Sequence, residues 1–281
     1  MPTVSTETVR VATPEDVATF RCDGFLRIGR VVEPAELADL QRIAVAEESG
    51  APSGLAGDQA DVDPALAVTY GYHRDPKYRQ MWSNAFDLRL RHPELHPIVR
   101  RCGEIARALI GTDDVRVFWD KTFSKPPIQD GTRQSVWHQD WPYLPIDRRG
   151  FLAFWIAVED VSVASGAMRF VPRSHRLGPL GRLDLVGREH ELEDILRPDD
   201  LAVVGEPVTI PLSAGEATVH DGLTLHGAGP NLSDRPRRGW SIVFLPGDTL
   251  WTGGPHPHAE LNRYLDEVNG PFDHPRFHLP G

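Results

Sequence analysis

Cysteine is scarce in this 281-residue chain, where Cys22 and Cys102 are the only two. Two thiols cannot build the disulfide framework of a small secreted scaffold, so both are expected reduced, within helices. Long apolar runs are missing as well. Hydrophobic residues make up 40% of the chain, yet no run approaches the ~18 residues that a membrane-spanning helix needs. The opening Met-Pro-Thr-Val-Ser-Thr-Glu has neither the basic start nor the apolar stretch of a secretion signal, which makes the cytoplasm the expected compartment. Positive charge is in deficit: 30 Lys and Arg stand against 40 Asp and Glu, a formal net charge of −10. Phosphate contacts need clustered cations, so nucleic acid is not the expected partner. No internal repeat or coiled-coil heptad is visible.

Length and patterning fit one soluble domain over 1–281, with no convincing internal boundary. Thr13-Pro14-Glu15-Asp16 reads as an N-cap with proline at the first helical position, opening a short helix to about Arg21. Gly24 to Val31 alternates like a strand. Pro34 to Glu48 carries Leu37, Leu40 and Ile43 at helical spacing, and a further helix is expected over Pro97 to Ile110. Residues 49–67, rich in Gly, Ala, Asp and Pro, read as a flexible loop. From Val115 onward, short β-rich segments alternate with Gly, Pro and Asp turns. The expected fold is mainly β with flanking helices around a double-stranded β-helix, a cupin-like jelly roll. Its parts are a mostly helical 1–112, a core over 113–248 and a tail over 249–281.

The chemistry concentrates in Val136-Trp137-His138-Gln139-Asp140-Trp141-Pro142-Tyr143. On an extended segment His138 and Asp140 share one face, because side chains alternate, and they can grip one metal ion from one side. The segment Leu225-His226-Gly227-Ala228-Gly229-Pro230-Asn231 begins 87 residues after His138. One His-x-carboxylate with one distant His is the facial triad of non-haem Fe(II) oxygenases, which leaves three metal positions open. His220-Asp221 competes for the distal role on the same stretch and reads as structural or supporting.

From Val115 to Phe244 the chain resembles the phytanoyl-CoA dioxygenase family of Fe(II)/2-oxoglutarate oxygenases, which also includes ectoine hydroxylase. The resemblance rests on Phe123-Ser124-Lys125-Pro126-Pro127, Trp137-His138-Gln139-Asp140, Phe151 to Val158, Ser165 to Arg176, His226 to Asn231, and Arg237 at the eleventh position after His226. Phe20 to Ile28 also looks like the family's opening passage. Arg173 departs from the pattern, since many relatives have Gly before Ser-His; that alters a turn.

The resemblance implies His138, Asp140 and His226 as ligands of Fe(II), with 2-oxoglutarate and O2 as co-substrates. Succinate, CO2 and a hydroxylated C–H bond would be the products. The far carboxylate of 2-oxoglutarate needs a cation, and arginine's planar fork suits it. Of Arg235, Arg237 and Arg238, the family spacing selects Arg237. Lys121 and Trp155 match positions that face the co-substrate. Trp141 and Tyr143 should rim the open face of the metal, with Arg169 and Arg188 bordering the mouth. The segment 176–206, with Arg182, Arg188 and His190, reads as a lid or solvated loop. His175 is expected to anchor a loop. His256, His258, His274 and His278 lie in what reads as a surface tail. Asp140 argues against halogenation, because related halogenases have a small residue there. The expected reaction is hydroxylation of an unactivated C–H in a free small organic molecule of specialised metabolism. Desaturation, epimerisation, ring closure, an acyl-CoA or carrier-bound substrate, and a non-catalytic binder are the alternatives.

Overall fold

The computed structural model describes residues 9–50, 85–181, 191–254, 264–265 and 267–281. In chain order the helices are α1 (Pro14–Asp23), α2 (Pro34–Gly50), α3 (Leu88–Arg91) and α4 (His96–Ile110), followed by the short α5 (Leu192–Ile195) and α6 (Pro198–Leu201). The strands are β1 (Phe25–Arg30), β2 (Val115–Lys125), β3 (Ser135–His138), β4 (Leu152–Ala157), β5 (Met168–Phe170), β6 (Val208–Ile210), β7 (Glu216–Asp221), β8 (His226–Ala228) and β9 (Arg237–Pro246).

The start of α1 follows from local chemistry. Thr13 caps the helix, its side chain accepting from the Asp16 amide while Asp16 reaches back to the Thr13 amide. This reciprocal pair satisfies donors that the first turn leaves open. In α4, Ile98, Val99, Cys102, Ile105, Ala106 and Leu109 recur at helical spacing and are all buried.

The strands form two antiparallel sheets in jelly-roll arrangement. A five-stranded sheet runs β1-β7-β4-β9-β2, and a four-stranded sheet runs β3-β8-β5-β6. The alternation in β4 shows the layering. Leu152, Phe154 and Ile156 point into the core shared with α1, α2 and α4. Trp155 turns the other way, toward Ala167 and Met168 near the smaller sheet. A sheet covered on both faces reads as continuous apolar sequence, as this strand does.

Three expectations are corrected. The large sheet begins before residue 113, because β1 pairs with β7 as an edge strand, burying Phe25, Leu26 and Ile28. In the segment 176–206, the described part is not a solvated loop. Leu177, Leu180, Leu192, Ile195, Leu196, Leu201 and Val204 pack with Trp137, Val171 and Leu225. The described part of the C-terminal stretch is likewise no surface tail. Phe272 and Phe277 are buried in a cluster with Phe118, and Arg276 pairs with Asp87 at 2.7 Å. Arg89 ties the strap further, bonding the Arg276 carbonyl and the buried Asp120 at 2.7 Å. Isolated aromatics among Pro and Gly carry no periodicity from which this packing could be read. Arg182, Arg188, His190, His256, His258 and nearly all of the expected 49–67 loop lie outside the described residues.

Candidate metal centre

His138 and His226 face each other directly across the β3–β8 ladder, with ring centroids 4.2 Å apart. Each ring is held through Nδ1, which sits 2.8 Å from the Val136 carbonyl in one case and 3.0 Å from the Thr224 carbonyl in the other. A carbonyl accepts, so both rings carry their proton on Nδ1 and present Nε2 as a free lone pair. Asp140 Oδ1 lies 3.7 Å from each Nε2. Three ligand atoms, one from each residue, fall within 4.8 Å of one another.

Asp140 reaches this position by a route that strand alternation does not describe. The strand ends at His138, and Asp140 has helical backbone angles (φ −75, ψ −40) at the head of a one-turn 3-10 segment, Trp141–Tyr143. Gln139 makes that corner possible and was missed in the sequence. It is buried, donates to the Gly178 and Leu223 carbonyls at 2.9 and 2.7 Å, and accepts from the Leu180 amide.

The electrostatics favour ligation. Burial, then the neighbouring His226 charge, bring His138 down to about 4, against the pull of Asp140. Burial and His220 bring His226 to about 4 as well. Neutral imidazoles are the metal-binding form. Burial pushes Asp140 upward, but His226, His220 and His138 together hold it well below the usual carboxylate range.

Behind the triad lies buried positive charge. Arg237 is buried, stacks over Trp155 at 4.8 Å and donates to the Gly166 carbonyl at 2.9 Å. Its Nε has no partner among the described residues. Burial lowers its pKa to about 10, with Glu159 opposing, so it stays cationic at neutral pH. Close approach is built in by glycine: a Cβ on Gly239 would meet the Trp155 ring at 2.1 Å, and one on Gly166 (φ +83) would meet the Gly229 carbonyl at 2.6 Å. Lys121 stands level with Ser241 and, through it, with Trp155 across the sheet. Its ammonium lies 4.5 Å from the Phe123 ring and 5.2 Å from Trp119. Burial lowers it to about 8, with Asp140 opposing. The imidazole and carboxylate donors fit a divalent iron, and the open Arg237 Nε fits one carboxylate of a 2-oxo acid.

The other arginines of the return strand are engaged elsewhere. Arg238 pairs with Glu48 and Glu159, and Arg235 is exposed beside Asp234. Lys125, level with Arg237, donates to the Arg133 and Gly229 carbonyls and to Ser135 Oγ, a role the sequence did not reveal. Asn231 bonds the Lys125 and Arg235 carbonyls and so holds the turn after His226. His220 sits beside the triad, 3.3 Å from Asp140 Oδ2. Trp141 is half-buried next to Asp140 and packs with the cluster around Phe118 and Trp119; Tyr143 is buried.

Arg169 does not border the mouth. Phe170 pairs with His226 and its ring stacks toward it, so alternation turns Arg169 to the opposite face, where it lies 4.5 Å over Trp137. His175 Nε2 lies 3.3 Å from the Arg21 carbonyl in the last turn of α1. Arg173 adopts a left-handed φ of +67, a conformation that favours glycine.

Two jelly-roll sheets with two imidazoles and one carboxylate converging on their inner side, ahead of a buried arginine, define the non-haem oxygenase class. Residues 20–239 match the family model "Phytanoyl-CoA dioxygenase (PhyH)", and the chain belongs to that family. It is 30% identical over 152 residues to the "Probable alpha-ketoglutarate-dependent hypophosphite dioxygenase" of Stutzerimonas stutzeri, covering 52% of this chain and 50% of that protein. The match thus spans about half of that relative's length. The ectoine dioxygenase of Streptomyces coelicolor is 26% identical over 246 residues, covering 82% of this chain and 76% of that protein. Among solved structures, the non-heme alpha ketoglutarate dependent carbocyclase SnoK from nogalamycin biosynthesis superposes with a TM-score of 0.72. The two are 25% identical, over 96% of this chain and 98% of that one.

Proposed function

We propose that the chain is a single-domain Fe(II)- and 2-oxoglutarate-dependent oxygenase that hydroxylates a free small organic molecule. The observation that carries this reading is the convergence of His138, Asp140 and His226, with the partly unspent Arg237 guanidinium behind them. In this reading His138 Nε2, Asp140 Oδ1 and His226 Nε2 hold the iron. When bound, the iron with 2-oxoglutarate and O2 supplies the oxidising chemistry that yields succinate, CO2 and the oxidised substrate. The protein's residues do the rest. Arg237 clamps the far carboxylate of 2-oxoglutarate by charge-assisted hydrogen bonds, supported by the stacked Trp155. Lys121 adds a second cation from its aromatic surround. Trp141 and Tyr143, which follow Asp140 in one turn, offer apolar surface to the substrate and limit water.

The likeness to a carbocyclase favours a second outcome at the same site, ring closure in place of hydroxylation. Both outcomes need the same triad and clamp. No helix among the described residues is long and apolar enough to cross a membrane, and two free cysteines suit the reducing cytoplasm.

The test is substrate-triggered conversion of 2-oxoglutarate to succinate over a panel of free apolar metabolites, their coenzyme A thioesters and hypophosphite, with products read by mass spectrometry. Succinate release driven by a free molecule that gains one oxygen is the expected result. Release driven only by a thioester, and lost with the free acid, contradicts the substrate class.

A further inference from the structure

We infer that His220 is a positioning residue that holds Asp140 to one-oxygen binding of the metal, and so keeps the opposite positions open. The inference rests on the metal centre proposed above. The two Asp140 oxygens have different neighbours. Oδ1 is equidistant from His138 Nε2 and His226 Nε2 at 3.7 Å, whereas Oδ2 is 3.3 Å from His220 Nε2.

The tautomer of His220 follows from its surroundings. A carboxylate only accepts, so Nε2 must carry the proton for this contact to be a hydrogen bond. Its Nδ1 is buried without a partner among the described residues. A proton placed there would leave a buried donor unsatisfied and set two lone pairs against each other at Nε2. His220 is thus the reverse of His138 and His226, whose Nδ1 protons go to backbone carbonyls. While it donates through Nε2, it has no lone pair there for the metal. That explains why a third histidine so near the site is not a ligand.

The ring cannot easily leave. His220 is buried on β7, paired to Phe25 on one side and Ala153 on the other. Its ring packs against both Phe170, at 5.5 Å between centroids, and His226, at 4.2 Å. Anchored there, its N–H stops the Asp140 carboxylate from swinging both oxygens onto the metal. A second oxygen would fill a position that a bidentate 2-oxo acid and O2 require.

Two measurements decide the matter. In the Zn(II)-loaded protein, side-chain 15N NMR should show His220 protonated on Nε2, with His138 and His226 protonated on Nδ1. In calorimetric titration of the Co(II)-loaded protein with 2-oxoglutarate, His220→Phe should weaken binding ~10–100-fold, the range of loss when an outer hydrogen-bond partner of a ligand is removed. His220→Gln, whose amide can donate from a similar place, should restore most of it. Protonation of His220 on Nδ1 overturns the inference even if the phenylalanine variant does not fold. So does wild-type 2-oxoglutarate affinity in His220→Phe, or equal weakening in Phe and Gln variants. Failure of the underlying centre looks different: the wild type would not bind Co(II), or His138→Ala would bind it equally.

Discussion

Arg237 is a buried cation whose Nε has no partner among the described residues and whose face rests on Trp155. Removing it should leave the metal ligands untouched and take away the clamp. Breaking one side of a buried charged pair costs ~3–5 kcal/mol, which is about two to four orders of magnitude in affinity. Arg237→Ala should therefore weaken 2-oxoglutarate binding to the Co(II)-loaded protein by about that factor with metal affinity unchanged. Arg235→Ala and Arg238→Ala should spare it, because their partners are Asp234, Glu48 and Glu159. Equal losses in all three variants would refute the assignment. A contribution from Lys121 to co-substrate binding would depend on pH. A lysine is cationic below its pKa and neutral above it, and burial places this one at about 8. The affinity for 2-oxoglutarate should fall as pH rises through that value, while Arg237, at about 10, still holds its charge. Lys121→Arg should abolish the fall. A wild-type affinity flat across this range would remove Lys121 from the co-substrate site.

Among the elements, β9 carries Arg237, and its Gly239 leaves room for the ring on which Arg237 stacks. Trp155 on β4 occupies the space where a side chain at this position would lie. Gly239→Ala should push Trp155 aside and loosen the surface on which Arg237 stacks. Overpacking of this kind costs ~1–3 kcal/mol. Titration of the Co(II)-loaded variant should show at least about fivefold weaker 2-oxoglutarate binding with unchanged metal affinity; an unaltered 2-oxoglutarate affinity would contradict the stack's role. Much at this scale was legible in the sequence. Thr13 and Pro14 mark the start of α1 because capping is local chemistry, and Leu40 and Ile43 mark the buried face of α2 because the helical period is strict. The corner at Asp140 was not legible. Alternation gives the same-face result for His138 and Asp140 only while the chain stays extended, and the buried Gln139 bends it. Arg169 was placed at the mouth without its register, and one step of register reverses a side chain's face.

At the scale of the whole molecule, distant parts of the chain converge. Helices α1, α2 and α4 cover one face of the large sheet, and the C-terminal strap locks onto β2 and α3 through Arg276, Asp87, Arg89 and Asp120. The ligand triad was readable because two short motifs carry it. Of its surroundings, His220 was read as structural or supporting, whereas Gln139 and the strap were not legible, since they act through long-range contacts that leave no local pattern. The central claim is that this assembly makes a site where 2-oxoglutarate binds through a metal held by His138, Asp140 and His226. Anaerobic calorimetry with Fe(II) and 2-oxoglutarate tests it most directly. The account predicts one 2-oxoglutarate per chain bound only after Fe(II) is loaded, and no Fe(II)-dependent binding in His138→Ala, Asp140→Ala or His226→Ala. Binding of 2-oxoglutarate without metal at the same affinity, or retained Fe(II)-dependent binding in those three variants, would contradict it.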